Sequence, residues 1–263
     1  MNVNVEIIAI GSELCYGRVY DTNSYWLADQ LTRLGAFVQR ITCVPDKLED
    51  ICAVFREALN RKPSFIISTG GLGPTSDDLT IEALSKVMER KIVTDMKILK
   101  IMAERKGVTV EDLPPNLVKM ARTVNGASCL ANPIGWAPVT IINDEETTII
   151  ALPGPPEETR ACFRKYVASL VSKRTHYKSL SKRVLVKMRE SSVSALTDQV
   201  MKKIPLVYMK PLIGELTDGR LPIEIIVFGV DEKKCEEKMN RALEMLKALL
   251  NEKGGFKRAL VKF

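Results

Sequence analysis

Residues 69–78 constrain the fold of this chain more than any other stretch. They read Thr-Gly-Gly-Leu-Gly-Pro-Thr-Ser-Asp-Asp, and they lie between an apolar run at 65–68 and a helix-like segment at 79–84. Glycines between a buried strand and a helix let backbone N–H groups approach a phosphate, and the helix N-terminus adds a favourable dipole. The adjacent carboxylates Asp77 and Asp78 would repel a bare phosphate, and a divalent cation between them resolves this conflict. The stretch therefore predicts a metal-dependent site for a phosphorylated small molecule.

Strand and helix patterns alternate from residue 3 to about 171. The predicted strands are 5–10, 37–44, 65–68, 137–143 and 147–151, the last two forming a hairpin. The predicted helices are 24–34, 48–60, 80–89, 95–106 and 156–172. Strands separated by helices imply crossover connections and a parallel sheet covered on both faces. We predict a doubly wound, mostly parallel α/β domain over residues 1–172.

The remaining residues, 173–263, follow a different order of strand, helix, strand, strand and helix. The predicted elements are 183–189, 192–203, 206–209, 222–230 and 232–250, with a turn around Asp218-Gly219. This order predicts a small α+β domain of about 90 residues, which is within the usual domain range. It has no G-x-x-G loop between helices, so a KH-type mode of nucleic-acid binding is not supported.

Composition excludes several classes of protein. Hydrophobic residues make up 46% of the chain and charged residues 27%, as in a globular protein. No apolar run approaches the roughly 20 residues that span a bilayer, and the N-terminus lacks a signal-peptide pattern. We expect a cytoplasmic protein with no membrane partner.

The net charge of +7 raises the question of a nucleic-acid partner. The excess is local, in Lys173, Arg174, Lys178, Lys182, Arg183 and Lys187, and again in Lys257, Arg258 and Lys262. Such clusters can bind a phosphate backbone. A solvated linker and a lysine-rich surface explain them more simply, so nucleic acid is not the expected partner.

Cysteine and histidine usage argues against a zinc site. The cysteines are scattered singly, no C-x-x-C pair occurs, and His176 is the only histidine. In a cytosolic chain most of these thiols should fill the core. Cys15 differs because it lies in a motif loop, which makes it the candidate for a reactive thiol.

Four further segments follow predicted strands, and loops at the carboxyl ends of parallel strands are where open sheets bind ligands. In the first segment, 11–23, Glu13 is a candidate acid, base or metal ligand, and Asn23 is a candidate to orient a sugar hydroxyl. The structural alternative for this segment is that Asp21 or Thr22 caps the next helix. In the second, Asp46 is either a site acid or a cap of the helix from 48. The others are 132–138, in which Asn132 and Trp136 are candidate ligand contacts, and 152–158, a stiff turn containing Gly154.

The segments 11–23, 69–80, 132–138 and 152–157, taken in this order, resemble the competence/damage-inducible CinA family, specifically its N-terminal molybdopterin-binding-like domain. The resemblance covers about residues 3–171. It implies the α/β fold of molybdenum-cofactor biosynthesis proteins and metal-dependent hydrolysis of a nucleotide pyrophosphate such as ADP-ribose, giving AMP and ribose 5-phosphate. The chain stops where longer relatives continue into a nicotinamide-mononucleotide deamidase domain, so deamidase activity is not predicted.

Carried over by motif, the resemblance makes Asp78 the essential acid, with Asp77 beside it as a second metal ligand. Asp46 and Glu13 are the candidates to activate water. The expected ligand-binding residues are Gly70, Gly71, Gly73, Thr75, Asn23, Asn132, Trp136 and Gly154. The expected cofactor is Mg²⁺, Mn²⁺ or Co²⁺, and a monovalent cation is a further candidate.

One alternative to hydrolysis stays open. A molybdopterin-binding protein that does not hydrolyse its ligand would share the same fold. ADP-ribose, an FAD-like dinucleotide and molybdopterin are therefore all candidate ligands. Relatives of this fold are usually oligomers, and we expect a homodimer.

Overall fold

The computed structural model describes residues 3–188, 190–216 and 220–252. The chain divides into two compact units, one comprising residues 1–32 and 36–174 and the other comprising 33–35 and 175–263. The division falls two residues beyond the predicted boundary at 172. The predicted turn at Asp218-Gly219 and the basic residues near the C-terminus lie outside the described residues.

The first unit alternates strands and helices along its whole length. Its helices are α1 (Ser12–Cys15), α2 (Thr22–Arg33), α3 (Leu48–Asn60), α4 (Thr80–Val87), α5 (Met96–Lys106), α6 (Pro115–Met120), α7 (Pro156–Cys162) and α8 (Ala168–Arg174). A π-helical turn, Phe163–Val167, joins α7 to α8. The strands are β1 (Asn4–Ile10), β2 (Phe37–Val44), β3 (Phe65–Thr69), β4 (Ile92–Thr94), β5 (Arg122–Val124), β6 (Ser128–Leu130), β7 (Val139–Asp144) and β8 (Thr147–Leu152).

Six of these strands form one sheet in the order β2-β1-β3-β8-β7-β6. The neighbours from β2 to β8 run parallel, whereas β7 pairs antiparallel with both β8 and β6. The central strands β3 and β8 are buried along their whole length, as expected for strands covered on both faces. The predicted doubly wound, mostly parallel α/β class is confirmed, and the predicted hairpin is β7–β8.

Of a smaller group of elements, the sequence predicts only helix α5, as the segment 95–106. Strands β4 and β5, each of three residues, form a separate antiparallel pair. Helices α5 and α6 pack on each other through a cluster of their own that includes Ile98, Met102 and Leu117. Short strands and a six-residue helix contain too few residues to show a period of 2 or 3.6, which explains why the sequence does not reveal them.

One ion pair between a buried glutamate and a partly exposed arginine ties the sheet to α3. The Glu6 side chain on β1 is only 3% exposed, and the Arg61 guanidinium bonds both its carboxylate oxygens, at 2.7 and 2.8 Å. Arg61 follows the last residue of α3, so the bidentate pair fixes the end of this helix beside the first strand.

The second unit contains β9 (Lys178–Val186), α9 (Glu190–Lys203), β10 (Val207–Pro211), β11 (Leu221–Gly229) and α10 (Glu232–Glu252). The strands form an antiparallel sheet in the order β10-β11-β9. Both helices bury apolar residues in one core with this sheet, among them Val193, Leu196, Met239 and Leu246. The element order is the predicted one, although the first strand starts five residues earlier, at Lys178.

No helix in the described ranges has the length and the apolar character that crossing a membrane requires.

Replacing Arg61 tests the ion pair. Arg61→Met leaves the buried Glu6 carboxylate without its cation, and we expect the free energy of unfolding to fall by about 2–4 kcal/mol. Urea denaturation measures this loss. Arg56→Met, at an exposed position of the same helix, is the control and should have little effect. The double variant Glu6→Gln/Arg61→Met should recover much of the loss, and a double variant as unstable as Arg61→Met contradicts this account.

Candidate functional site

The loops that leave β1, β2, β3 and β8 surround a cavity of about 560 Å³ in the first unit. All the predicted site residues line it except Thr75 and Asn132. The register of the strands explains why these loops lie close together. Ile10 on β1 pairs with Val44 on β2, and Thr69 on β3 pairs with Leu152 on β8, so these strands end at one edge of the sheet.

The glycine loop begins between two strands. Gly70 has a φ of +98°, and a Cβ at this position would lie 2.1 Å from the carbonyl oxygen of Ile10. Its N–H donates to the carbonyl of Leu152 at 3.1 Å. This corrects the expectation that the Gly70 N–H binds phosphate, because that donor is already used. The N–H groups of Gly71 and Gly73 make no hydrogen bond within the described part of the chain, so they are available to a ligand.

The acidic turn that follows is organised by Thr75. Its backbone N–H donates to Asp78 Oδ2 at 2.8 Å, and its hydroxyl lies 2.6 Å from the same oxygen and in contact with Asp77 Oδ1. The Thr75 hydrogen bond holds the pKa of Asp77 below its usual value, so this carboxylate is ionised at neutral pH. Thr75 therefore positions the two acids, which replaces its predicted role as a ligand contact.

The side chain of Lys119 on α6 holds this turn by binding its backbone carbonyls. Its Nζ donates to the carbonyl oxygens of Thr75 and of Asp78, the latter at 2.9 Å. Sequence reasoning missed Lys119 because it lies about 40 residues away in a helix without a recognisable pattern. The effect is that the carboxylates of Asp77 and Asp78 stand on a turn fixed at two points.

The loops after β1 and β2 are bonded to each other. The Ser12 N–H donates to Asp46 Oδ2 at 2.6 Å, and the Asp46 N–H donates to Ser12 Oγ at 3.1 Å. Asp46 is thus a tie between two loops, and it is not the cap of α3, which begins after Lys47 without a side-chain cap. The Glu13 carboxylate, which also lines the cavity, makes no hydrogen bond within the described residues. Of the two predicted bases, only Glu13 has a wholly uncommitted carboxylate.

Two polar residues at the start of α2 join the site. Asp21 Oδ1 accepts the Ser24 N–H at 2.9 Å, as predicted for a helix cap, and Asp21 also lines the cavity. The Asn23 side-chain amide donates to the carbonyl of Gly154 at 2.7 Å. Asn23 therefore links this helix to the turn after β8.

Asn132 shapes a loop rather than a ligand site. Its side chain is only 1% exposed. Its Nδ2 donates to Ala137 O at 3.0 Å and to Glu158 Oε2 at 2.6 Å, while its Oδ1 accepts from the N–H groups of Ile134 and Gly135. These four bonds use its amide fully. The prediction that Asn132 contacts the ligand is therefore corrected.

The loop held in this way carries Trp136. Its indole is 38% exposed and lines the cavity. Arg105 on α5 fastens the loop from outside, because its guanidinium donates to Asn132 O at 2.7 Å and to Gly135 O at 2.8 Å. A half-exposed indole on a fixed loop is a suitable surface for stacking a planar ring.

Glu158 is a cavity residue that sequence reasoning missed. It lies in the first turn of α7, where the sequence indicates only the start of a helix. Burial raises the pKa of Glu158, and its hydrogen bond with Asn132 partly opposes that rise. Its carboxyl group lies so close to Gly135 that a Cβ there would come within 2.2 Å of it. An acid with a raised pKa in a cavity is a candidate functional group.

The charge of the cavity wall is one-sided. Six acidic residues line it, and no Lys, Arg or His does so within the described part of the chain: Glu13, Asp21, Asp46, Asp77, Asp78 and Glu158. Among the described residues no group of three or more His, Cys, Asp or Glu is arranged to hold a metal ion. A cation at Asp77 and Asp78 would need its other ligands from water and from the bound molecule, which is how Mg²⁺ usually binds beside phosphates.

Fold and cavity together define an α/β protein whose glycine loop and acidic turn meet at a sheet edge. Residues 6–173 match the family described as "Probable molybdopterin binding domain". The chain belongs to this family.

Relatives extend the likeness beyond the first unit. A protein of Pyrobaculum calidifontis is 38% identical over 94% of this chain and 95% of its own length. A protein of Sulfurisphaera tokodaii is 36% identical over 95% of this chain and 96% of its own length. The crystal structure of the protein CinA, of unknown function, from Thermoplasma acidophilum is 34% identical with a TM-score of 0.59, covering 62% of this chain and 95% of that one. The predicted resemblance to CinA-type proteins is confirmed.

Removing the Asn132 amide should disorganise the loop. Asn132→Ala leaves the N–H groups of Ile134 and Gly135 without their acceptor, and we expect the free energy of unfolding to fall by about 2–3 kcal/mol. In a Trp26→Phe background, which leaves Trp136 as the only tryptophan, the emission should shift to longer wavelength as the indole becomes more hydrated. Asn116→Ala, at an exposed position of α6, is the control. Unchanged emission and stability in Asn132→Ala would show that the loop is held by other contacts.

The raised pKa of Glu158 predicts a specific pH dependence. The folded state binds the Glu158 proton more tightly than the unfolded state, so this residue loses stabilising effect as pH rises from the ordinary carboxyl pKa through the raised one. Glu158→Gln retains an acceptor for Asn132 but does not titrate. The stability of the wild type minus that of Glu158→Gln should therefore decrease as pH rises above the ordinary carboxyl pKa, as measured by urea denaturation. A constant difference would contradict the shift.

Proposed function

We propose that this protein binds a phosphorylated pterin of the molybdopterin class in the cavity, with a divalent cation between the phosphate and the acidic turn. The observation that carries the proposal is the lining: uncommitted N–H groups of Gly71 and Gly73 beside carboxylates, with no basic side chain among the described residues that line it. Phosphate alone would be repelled by such a wall, whereas phosphate with a divalent cation is attracted to it.

The residues present fit this cation. Asp77 and Asp78 would hold it, because Thr75 and Lys119 fix both carboxylates on one turn. When bound, the cation would neutralise phosphate charge. The N–H groups of Gly71 and Gly73 would donate hydrogen bonds to the phosphate oxygens, and the Trp136 indole would stack on the planar ring. The family of the domain supports a pterin as that ring.

Hydrolysis of a nucleotide pyrophosphate such as ADP-ribose is the second candidate, and a specific observation favours it. Glu13 and Glu158 line the same cavity as the acidic turn but are not needed to bind phosphate. Glu13, with its uncommitted carboxylate, would accept a proton from the attacking water. Glu158, with its raised pKa, would supply a proton to the leaving phosphate. Asp46 would hold Ser12 and so orient Glu13.

Two assays separate these candidates. Binding of molybdopterin is measured by quenching of tryptophan emission with Mg²⁺ and again with excess chelator. Turnover is measured as AMP released from ADP-ribose with Mg²⁺, Mn²⁺ or Co²⁺. Cation-dependent binding without turnover supports the pterin proposal, and AMP release supports the hydrolase. If neither binding nor turnover occurs, both candidates are wrong. A homodimer in the cytoplasm stays a prediction, which light scattering checks for the oligomeric state.

Asp78 provides the sharpest variant. Asp78→Asn removes one of the two charges that face the cation, and we expect the ligand affinity in Mg²⁺ to fall about 10- to 100-fold, while the fold persists. Asp112→Asn is the matched control, because Asp112 accepts a hydrogen bond from Thr109 at an exposed position that does not line the cavity. Asp78→Asn protein that binds and turns over its ligand like wild type contradicts the assignment.

A further inference from the structure

Two cysteines from separate elements meet beside the site. Cys15 ends α1, and Cys43 is the last residue but one of β2. Ala9 pairs with Cys43 and Ile10 with Val44, so the helix that follows β1 begins next to the end of β2. This register brings the two Sγ atoms within 3.5 Å, where one thiol donates a hydrogen bond to the other sulfur.

These two thiols differ from the other four in exposure. Cys15 and Cys43 are both exposed, whereas Cys52, Cys162 and Cys235 are buried and Cys129 is half-buried. A small reagent in solution therefore reaches the pair directly. The expectation that the cysteines mostly fill the core holds for the buried ones but not for this pair.

We propose that Cys15 and Cys43 are a modification site, at which a small-molecule disulfide such as glutathione disulfide converts the two thiols into a reversible intramolecular disulfide. The sulfurs need to approach only from 3.5 Å to about 2.05 Å. Structural disulfides are rare in the cytosol, and those that occur there are typically reversible and redox-sensing. The exposure of both thiols makes such an exchange possible at this pair.

The exchange follows from the geometry and balances in two steps. The Cys15 thiolate attacks the glutathione disulfide, forms a mixed disulfide and releases one glutathione thiolate. Cys43 then loses its proton to solvent and attacks the Cys15 sulfur, which releases the second glutathione. Two protein thiols are oxidised, and one disulfide is reduced to two thiols.

The order of attack has a physical cause. Partial desolvation is the largest cause that raises the pKa of the Cys43 thiol to about 12, followed by the hydrogen bond and charge of Cys15 and by the charges of Asp21 and Glu13. Cys15 is therefore the first nucleophile. Once it is part of a mixed disulfide, its sulfur carries no charge and no S–H, so the two contributions of Cys15 to the raised pKa are removed and Cys43 becomes the resolving thiol.

The bond would fasten the elements that carry Glu13 and Asp46. Glu13 lies two residues before Cys15, and Asp46 lies three residues after Cys43. At present, hydrogen bonds between Ser12 and Asp46 join these loops. A covalent link adds a constraint on the unfolded chain, so the oxidised protein should unfold at a temperature several degrees higher.

Treating the full-length reduced protein with glutathione disulfide tests the proposal without reference to any ligand. We expect the mass to fall by two hydrogens, a Cys15–Cys43 peptide to appear in a non-reducing digest, and the melting temperature to rise. Dithiothreitol should reverse all three changes. Cys15→Ser and Cys43→Ser should gain no melting temperature, and Cys129→Ser, the control, should behave like wild type.

Three results would overturn the proposal: stable glutathione adducts on wild-type protein without the internal bond, cross-linked dimers as the main product, or no reaction at the two exposed thiols. Because none of these measurements involves ligand or cation, they remain valid if the proposed function is wrong. Conversely, a failed oxidation leaves the binding assays unaffected.

Discussion

The site depends on the way the chain passes through Gly70. The N–H of Gly70 donates to the carbonyl of Leu152 on β8. On its other side, the Cα lies so close to the carbonyl of Ile10 on β1 that no side chain fits between them. A positive φ at this point turns the chain out of the sheet just after β3. Only glycine combines this φ with such a close approach. The glycine loop is therefore fixed to the two neighbouring strands before it reaches the cavity.

Beyond Gly70, hydrogen bonds rather than ion pairs hold the residues of the site in place. Thr80 is fully buried at the start of α4. Its hydroxyl donates a hydrogen bond to the Gly70 carbonyl, and its N–H donates to the Gly71 carbonyl. Thr75 and Lys119 then hold the acidic turn between these points. Lys119 donates to backbone carbonyls and does not line the main cavity, so none of the described residues that line it supplies a cation to the carboxylates there. A wall of unpaired carboxylates costs free energy in an empty cavity, and a bound cation relieves that cost.

The sequence reveals those parts of the fold and site that depend on local patterns. Long apolar runs such as 65–68 identify the parallel strands, and the run of glycines and acids identifies the phosphate loop. The sequence does not reveal which backbone N–H groups are free to bind a ligand, because Gly70, Gly71 and Gly73 look equivalent in it. Only the folded structure shows that the Gly70 N–H donates to Leu152 on β8. Asn132 looks like a ligand contact for the same reason, since its four bonding partners become neighbours only after folding. Glu158 and Lys119 carry no local signal at all.

The difference between holding a ligand and cleaving it rests on how the acids divide their tasks. Asp77 and Asp78 share one turn and one hydroxyl, so they act together on a single charge. Asp46 accepts the Ser12 N–H with one oxygen, so part of its carboxylate is already used in joining two loops. Glu13, two residues after Gly11, has no such donor among the described residues, and the absent Cβ of Gly11 leaves room for its carboxylate to fold back over the chain. A pure binding site for a phosphate and its cation requires only the first pair of acids. The uncommitted carboxylate of Glu13 is therefore the feature by which hydrolysis would differ from binding at this sheet edge.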